Sequence, residues 1–220
     1  MSLFDLFRKK SAQETVPYKQ ESCNFIYDLL FCDDITLFKT ASDTFYPPNV
    51  LLSNNPDPNE LTVIANDASL ETRYRILAYN LLLSRNIAPG KKELLGIVFE
   101  VSMPQGLDVL AAYIDGRIRY ISHSEKMVIV EATTDESDGL VEKLFNAGTK
   151  VIQKIGPSTK RRKPFPPIGN VRTTFLVSDG IYSKEGPFEV LQRDPIGGPL
   201  LIAAVNLLRH VTEKMNRAQS

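Results

Sequence analysis

A hairpin signal in the second half of the chain constrains the fold more than any other feature of the sequence. The segment LDVLAAYIDGRIRYISHSEKMVIVEA, residues 107–132, contains three short stretches rich in apolar residues. Asp115-Gly116 joins the first two stretches, and the polar run 123–126 joins the second to the third. An Asp-Gly pair between alternating hydrophobic residues is typical of a two-residue hairpin loop, because a type I′ turn needs positive φ at both central positions. The sequence therefore predicts an antiparallel β-meander.

A two-residue loop at Asp115-Gly116 also predicts which residues face one another across the hairpin. Tyr113 then lies opposite Ile118, and Asp108 lies opposite His123 at the open end. In this register one face of the sheet carries four polar residues: Asp108, Arg117, Arg119 and His123. The other face carries aromatic and aliphatic residues and is expected to be buried: Val109, Ala111, Tyr113, Ile118 and Tyr120.

The first 90 residues have a helical periodicity. Apolar residues recur at helix spacing in 21–39 and again in 69–84. Between these segments, Asp57-Pro58-Asn59-Glu60 supplies an N-cap, a proline at the first helical position and an acidic residue at the third. These patterns predict a small all-helical unit.

The period of the pattern changes from helical to extended at Pro89-Gly90, which we take as the domain boundary. Beyond it, strands are predicted at 94–101 and 171–177, and helices at 138–155 and 199–215. Strands in series with helices before and after them indicate an α+β fold.

We therefore expect an N-terminal all-helical unit followed by an antiparallel β-meander sheet flanked by helices. The predicted divisions are a flexible N-terminal tail at 1–18, the helical unit at 19–90 and the meander domain at 91–220.

Two passages resemble stretches found in a group of uncharacterised bacterial proteins. They are GLDVLAAYIDGRIRYI, residues 106–121, and VRTTFLVSDGIYSKEGPF, residues 171–188. The resemblance implies a bacterial, cytoplasmic origin. It implies no activity and assigns no residue a role.

Composition limits the partners and cofactors. The chain has 26 basic and 26 acidic residues, so no overall field attracts nucleic acid or an anionic membrane. Cys23 and Cys32 lie too far apart along one predicted helical region for a disulfide, which favours a reducing compartment such as the cytoplasm. With only two further candidate ligands, His123 and His210, a Cys/His zinc site is excluded, and we expect neither a metal nor a cofactor.

Membrane association is expected to be absent or peripheral. No run of eighteen apolar residues occurs in the chain. Residues 1–10 combine two Leu-Phe pairs with a basic end, and one or two amphipathic turns there could touch a membrane surface. A frayed terminus is the interpretation that we favour, because so short a helix is marginal alone.

Asp108 and His123 form the pair with the most chemical potential. A carboxylate beside an imidazole orients the ring and raises its basicity, as a general base requires. With Arg117 or Arg119 stabilising negative charge on the same face, the pair would suit a hydrolase or transferase. The pair has no identified nucleophile, however, and we favour an ion pair at the end of a sheet.

Two other segments are candidate binding sites. Lys160, Arg161 and Arg162 begin a basic run that ends near Phe165, a combination that grips phosphate or nucleic acid, although a solvated loop is the interpretation that we favour. Asp179 follows a predicted strand and could bind a ligand there, but we favour a turn that it caps and in which Gly180 takes positive φ. Residues 181–185 after it are expected to form a polar loop. Glu100 and Glu131 lie on predicted strands, and alternation toward solvent explains both.

The hypothesis that we prefer is a non-enzymatic cytoplasmic binding or adaptor protein whose partner is another protein. The alternatives are a hydrolase or transferase that uses Asp108 and His123, and phosphate or nucleic-acid binding through residues 160–165. The sequence does not determine the oligomeric state.

Overall fold

The structure, a computed structural model, describes residues 16–39, 45–132, 134–158 and 162–217. The tail predicted for residues 1–18 lies mostly outside these ranges. Its last residue, Tyr18, is buried, and its hydroxyl donates to the carbonyl of Leu107 at 3.1 Å.

The α+β class predicted from the sequence is confirmed. Seven helices are described: α1 Glu21–Leu29, α2 Pro48–Leu51, α3 Pro58–Asn66, α4 Thr72–Ser84, α5 Asp135–Ile152, α6 Phe188–Arg193 and α7 Gly197–Arg217, with a short 3-10 helix at Ile35–Phe38. Six strands form one sheet: β1 Leu94–Met103, β2 Gly106–Tyr113, β3 Ile118–Ile121, β4 Met127–Val130, β5 Asn170–Val177 and β6 Gly180–Pro187. The predicted cap of α3 is present, since the Asp57 carboxylate accepts from the N–H of Asn59 at 2.9 Å.

The sheet has the strand order β4-β3-β2-β1-β5-β6, and all neighbours are antiparallel. Helices of residues 19–90 cover one face, called here the N-terminal face, onto which β2 directs Val109 and Ala111. Helices α5 and α7 cover the C-terminal face, onto which β2 directs Leu110 and Ala112. The helical unit therefore shares a hydrophobic core with the sheet, and the molecule has three layers.

The β2–β3 turn differs from the predicted type I′ loop. The N–H of Tyr113 donates to the carbonyl of Arg117, which leaves a three-residue loop, and only Gly116 within it has positive φ (83°). This is a type I turn followed by a left-handed residue. The Asp115 carboxylate holds this turn from two sides: it accepts from the N–H of Arg117 at 3.1 Å and from that of Thr72, at the start of α4, at 2.8 Å.

The longer loop shifts the pairing by one residue, so the predicted faces are wrong. Ala111 pairs with Arg119 and Leu110 with Tyr120. A one-residue slip transfers every side chain of a strand to the other face. Tyr120 consequently lies on the C-terminal face, Arg119 lies on the N-terminal face, and both faces of the sheet are buried.

Two further predictions are corrected. Residues 181–185, interpreted as a polar loop, belong to the edge strand β6. Glu100 does not point to solvent but is fully buried on the N-terminal face, because a helical layer lies over that face as well. Within the described ranges, no helix combines the length and the apolar character needed to cross a bilayer.

Candidate functional site

Asp108 and His123 are in contact, but not as a cross-strand pair. His123 lies in the turn after β3. One carboxylate oxygen of Asp108 accepts from the His123 backbone N–H at 2.6 Å and lies 2.9 Å from Nδ1 of its ring. The other accepts from the hydroxyl of Tyr120 at 3.1 Å. The carboxylate thus caps the β3–β4 turn, and the imidazole, 41% exposed, lies at the surface.

Arg117 and Arg119 do not join this pair. Both guanidinium groups bind the carboxylate of Glu131, and that of Arg117 also binds Asp115 at 2.8 Å. Asp108 lies two residues before Leu110 on β2 and therefore shares the C-terminal face with it. Arg119 lies on the N-terminal face, on the opposite side of the sheet. The prediction that these residues share one face is wrong, and the cause is the one-residue shift at the β2–β3 turn.

Serine hydroxyls near the pair are engaged locally. Ser122 Oγ lies 2.9 Å from Ser124 Oγ and accepts from the N–H of Lys126 at 3.2 Å. These bonds stabilise the β3–β4 turn and do not activate a nucleophile.

The basic loop is attached to the helical unit through one of its arginines. Arg162 Nη2 donates to Asp28 at 2.7 Å, and Nε lies 3.2 Å from Asp33. Its guanidinium also stacks on Phe31, 4.1 Å from the ring centroid. These contacts compete with any phosphate for Arg162, whereas Lys160 and Arg161 lie outside the described residues.

Asp179 occupies the turn between β5 and β6. Its carboxylate accepts from the hydroxyl of Tyr182 at 2.9 Å, and Gly180 has the predicted positive φ (133°). The geometry is that of a turn residue held by the following strand.

The sequence reasoning missed a buried ionic cluster on the N-terminal face. Glu100 is 0% exposed; one of its oxygens accepts from the Tyr27 hydroxyl at 2.7 Å, and the other lies 3.8 Å from Arg172 Nη1. Burial raises the pKa of Glu100, which the Tyr27 hydroxyl and the positive charge of Arg172 offset in part. The available signal was the polar ladder that the strand register forms from Glu100, Arg172 and Glu185.

Arg172 is the centre of this cluster. Its Nε and Nη2 both lie 2.8 Å from the Glu185 carboxylate, and Nη1 donates to the carbonyls of Lys163 and Pro164. One guanidinium group therefore ties β1, β5, β6 and the loop before β5 together. With its donors satisfied inside the protein, Arg172 has a structural role.

A trough of about 520 Å³ lies between α5 and α7 on the outer side of the C-terminal layer. Its walls are mainly apolar and include Leu140, Ala147, Pro199 and Ile202. Ile202 is 56% exposed, which is high for a large aliphatic side chain. The charged residues that line the trough are Lys143 and Lys150, both on α5.

The start of α7 beside the trough is already neutralised. Asp194 accepts from the N–H groups of Ile196 and Gly197, and Lys184 donates to its other oxygen at 2.7 Å. The Lys184 hydrogen bond and these backbone bonds lower the pKa of Asp194 to about 2. The positively charged groups that line the trough are therefore its two lysines, whereas the N–H groups of Ile196 and Gly197 beside it already have an acceptor.

No protein-family model, curated protein or solved structure matches this chain.

Proposed function

We propose that this protein is a non-enzymatic binding protein that receives an acidic amphipathic helix of a partner protein in the trough between α5 and α7. The observation that carries the proposal is the combination of an exposed apolar trough with charged residues of one sign. Amphipathic helices bind in such grooves through apolar residues at helical spacing.

The dimensions of the trough suit a short helix. Its α5 wall runs from Leu140 to Lys150, and ten residues of helix at 1.5 Å each span about 15 Å. Exposed Ile202 offers an apolar contact on the α7 wall. A contiguous exposed apolar surface rimmed by polar residues is typical of an interaction site.

Charge supports an acidic partner. Lys143 and Lys150 are seven residues apart on α5, so their Cα atoms are separated by about two helical turns, or roughly 10 Å. A partner helix with acidic residues at positions i and i+7 would present carboxylates at the same spacing. Such complementary charges speed association and select the partner.

The state of the other candidate residues supports a binding role and an intracellular location. Asp108 serves a turn, and the arginines that an enzyme would need lie on the opposite face. Cys23 and Cys32 are both buried and unpaired, which suits the reducing bacterial cytoplasm that we propose.

Fluorescence anisotropy with a labelled model peptide tests the proposal. The peptide is a twelve-residue amphipathic helix with leucines on one face and glutamates at i and i+7. We expect saturable binding that weakens with salt, and at least about a tenfold rise in Kd for Lys143→Glu/Lys150→Glu, since two exposed charge pairs contribute about 1.4 kcal/mol together and the reversed charges repel the peptide.

The matched control is Lys19→Glu/Lys154→Glu, which changes the net charge equally at residues that do not line the trough. It should bind as the parent does. A control variant that loses as much affinity, or a lysine-substituted peptide that binds equally well, would contradict the proposed site.

A further inference from the structure

The two edges of the sheet differ in how well they are protected. Strand β6 contains Lys184 and Glu185 and ends at Pro187, and the N–H of Ser158 donates to its Ile181 carbonyl at 2.6 Å. Charges, proline and a covering segment are the usual means of preventing edge-to-edge pairing. Strand β4, with the sequence Met-Val-Ile-Val, contains neither a charged residue nor a proline, and its register with β3 has no bulge. Among the described residues, it has no strand on its outer side.

The backbone of β4 shows which groups face outward. The N–H of Ser122 donates to the carbonyl of Lys126 at 2.9 Å, in line with the β3–β4 register. Hydrogen-bonded and non-hydrogen-bonded pairs alternate along an antiparallel ladder. Val128 and Val130 therefore bond to β3, and the N–H and C=O groups of Met127 and Ile129 point away from the sheet.

The same two residues also expose apolar side chains. Met127 is 39% exposed and Ile129 is 53% exposed, and both lie on the N-terminal face beyond β3. Val128 and Val130, on the C-terminal face, are packed against the core below α5 and α7. Within the part of the chain that the structure describes, the outer side of β4 thus combines backbone groups that have no strand partner with an apolar surface.

The geometry points to a second copy of this chain as the occupant of this edge. The two β4 strands pair antiparallel around a two-fold axis at Val128, with Met127 of each copy opposite Ile129 of the other. Residues opposite each other share a face, so the two-fold axis brings both Met127 and both Ile129 side chains onto the N-terminal face. The result is one continuous sheet across the dimer.

Self-pairing in this register meets little electrostatic opposition. Strand β4 contains no charged residue between positions 127 and 130. Glu125 comes opposite Glu131 at each end, but Glu131 is bound by two arginines, and Glu125 accepts from the N–H groups of Lys19 and Gln20. Met127 and Ile129 are apolar and lie on the same face, so each copy of β4 presents the same apolar pair to the other. Such a contact, in which both copies use the same surface, is the isologous contact of a two-fold dimer.

Sedimentation equilibrium of the full chain over a wide concentration range tests the inference. We expect a monomer–dimer equilibrium for the parent and at least about a tenfold weaker dimer for Ile129→Lys, because lysine on an edge strand opposes pairing. The control is Val63→Lys on α3, where the parent valine is 61% exposed, and it should dimerise as the parent does. A parent that stays monomeric, or equal effects of both variants, would overturn the inference.

A cysteine variant tests the register itself. The two Val128 residues form a non-hydrogen-bonded pair with Cα atoms about 4.5 Å apart, which is within the range for a disulfide. Val128→Cys should therefore give a covalent dimer on mild oxidation, whereas Val130→Cys, opposite Lys126, should not. The native cysteines are buried and do not compete. Equal cross-linking of both variants would exclude this register, and neither result depends on peptide binding in the trough.

Discussion

Replacement of Arg172 by methionine should be among the most destabilising single changes in this protein. The side chain is 5% exposed and binds Glu185 through two nitrogens and two loop carbonyls through the third. Methionine fills much of the space but removes the nearest positive charge from buried Glu100, and only Arg162 then offsets the burial of its carboxylate by charge. Removal of one partner from a buried ion pair costs about 3–5 kcal/mol. With a urea m-value of about 2 kcal/mol/M, the unfolding midpoint should fall by roughly 1.5–2.5 M.

The loss of stability in Arg172→Met should depend on pH, and the ionisation of Glu100 sets the direction of that dependence. Its pKa in the folded protein is raised above the ordinary value of 4.5, so its ionisation opposes folding as pH rises from 4.5 through the raised value. Without Arg172 this pKa rises further. The destabilisation should therefore be largest near neutral pH and smaller at about pH 4.5, where folded Glu100 is mostly protonated because its pKa lies above that pH.

Urea unfolding followed by far-UV circular dichroism at the two pH values measures the effect. Glu100→Gln is the control, because it keeps an acceptor for the Tyr27 hydroxyl and leaves Arg172 paired with Glu185. It should cost less than about 1 kcal/mol near neutral pH. A loss below about 1 kcal/mol for Arg172→Met, or a loss that grows as the pH falls, would refute the reasoning.

Two further pairs of substitutions test the packing of α5 at its glycines and the role of the Asp108 carboxylate in the β3–β4 turn. In α5, Gly148→Ala places a Cβ 2.8 Å from a methyl group of β1 and should destabilise by about 1–3 kcal/mol. Gly139→Ala in the same helix meets no atom within 4 Å and should stabilise by about 0.5–1 kcal/mol, so equal effects in thermal unfolding would contradict this packing. At the β3–β4 turn, Asp108→Ala should lose about 1–3 kcal/mol, since it removes the acceptor of a backbone N–H and of a hydroxyl. His123→Ala should lose less than about 1 kcal/mol because the ring is exposed, and the reverse order in urea unfolding would show that the histidine is the structural member.

The candidate site shows where local reasoning succeeds and where it fails. Asp108 and His123 are close in both the predicted and the observed structure, because the ends of β2 and β3 meet in any short hairpin. Their relation is different, however, since a loop one residue longer puts His123 in the turn. Glu100 was missed because a strand covered on both faces has no solvent side, and period-two alternation then says nothing about burial. Its partner Arg172 is 72 positions away and is brought near only by the pairing of β1 with β5.

Local patterns determined which kinds of element the chain forms and roughly where each lies. The helical spacing before residue 90, the cap at Asp57, the meander and the α+β class all depend on interactions between near neighbours in the chain. Tertiary contacts determined the register and the faces. Asp115 accepts from the N–H of Thr72, a residue on another element, as well as from that of Arg117 in its own turn, and both bonds hold the three-residue turn in place of the two-residue turn that Asp-Gly predicts. The trough between α5 and α7 and the open edge of β4 likewise depend on how the elements pack, because each is a property of surfaces that distant segments leave uncovered.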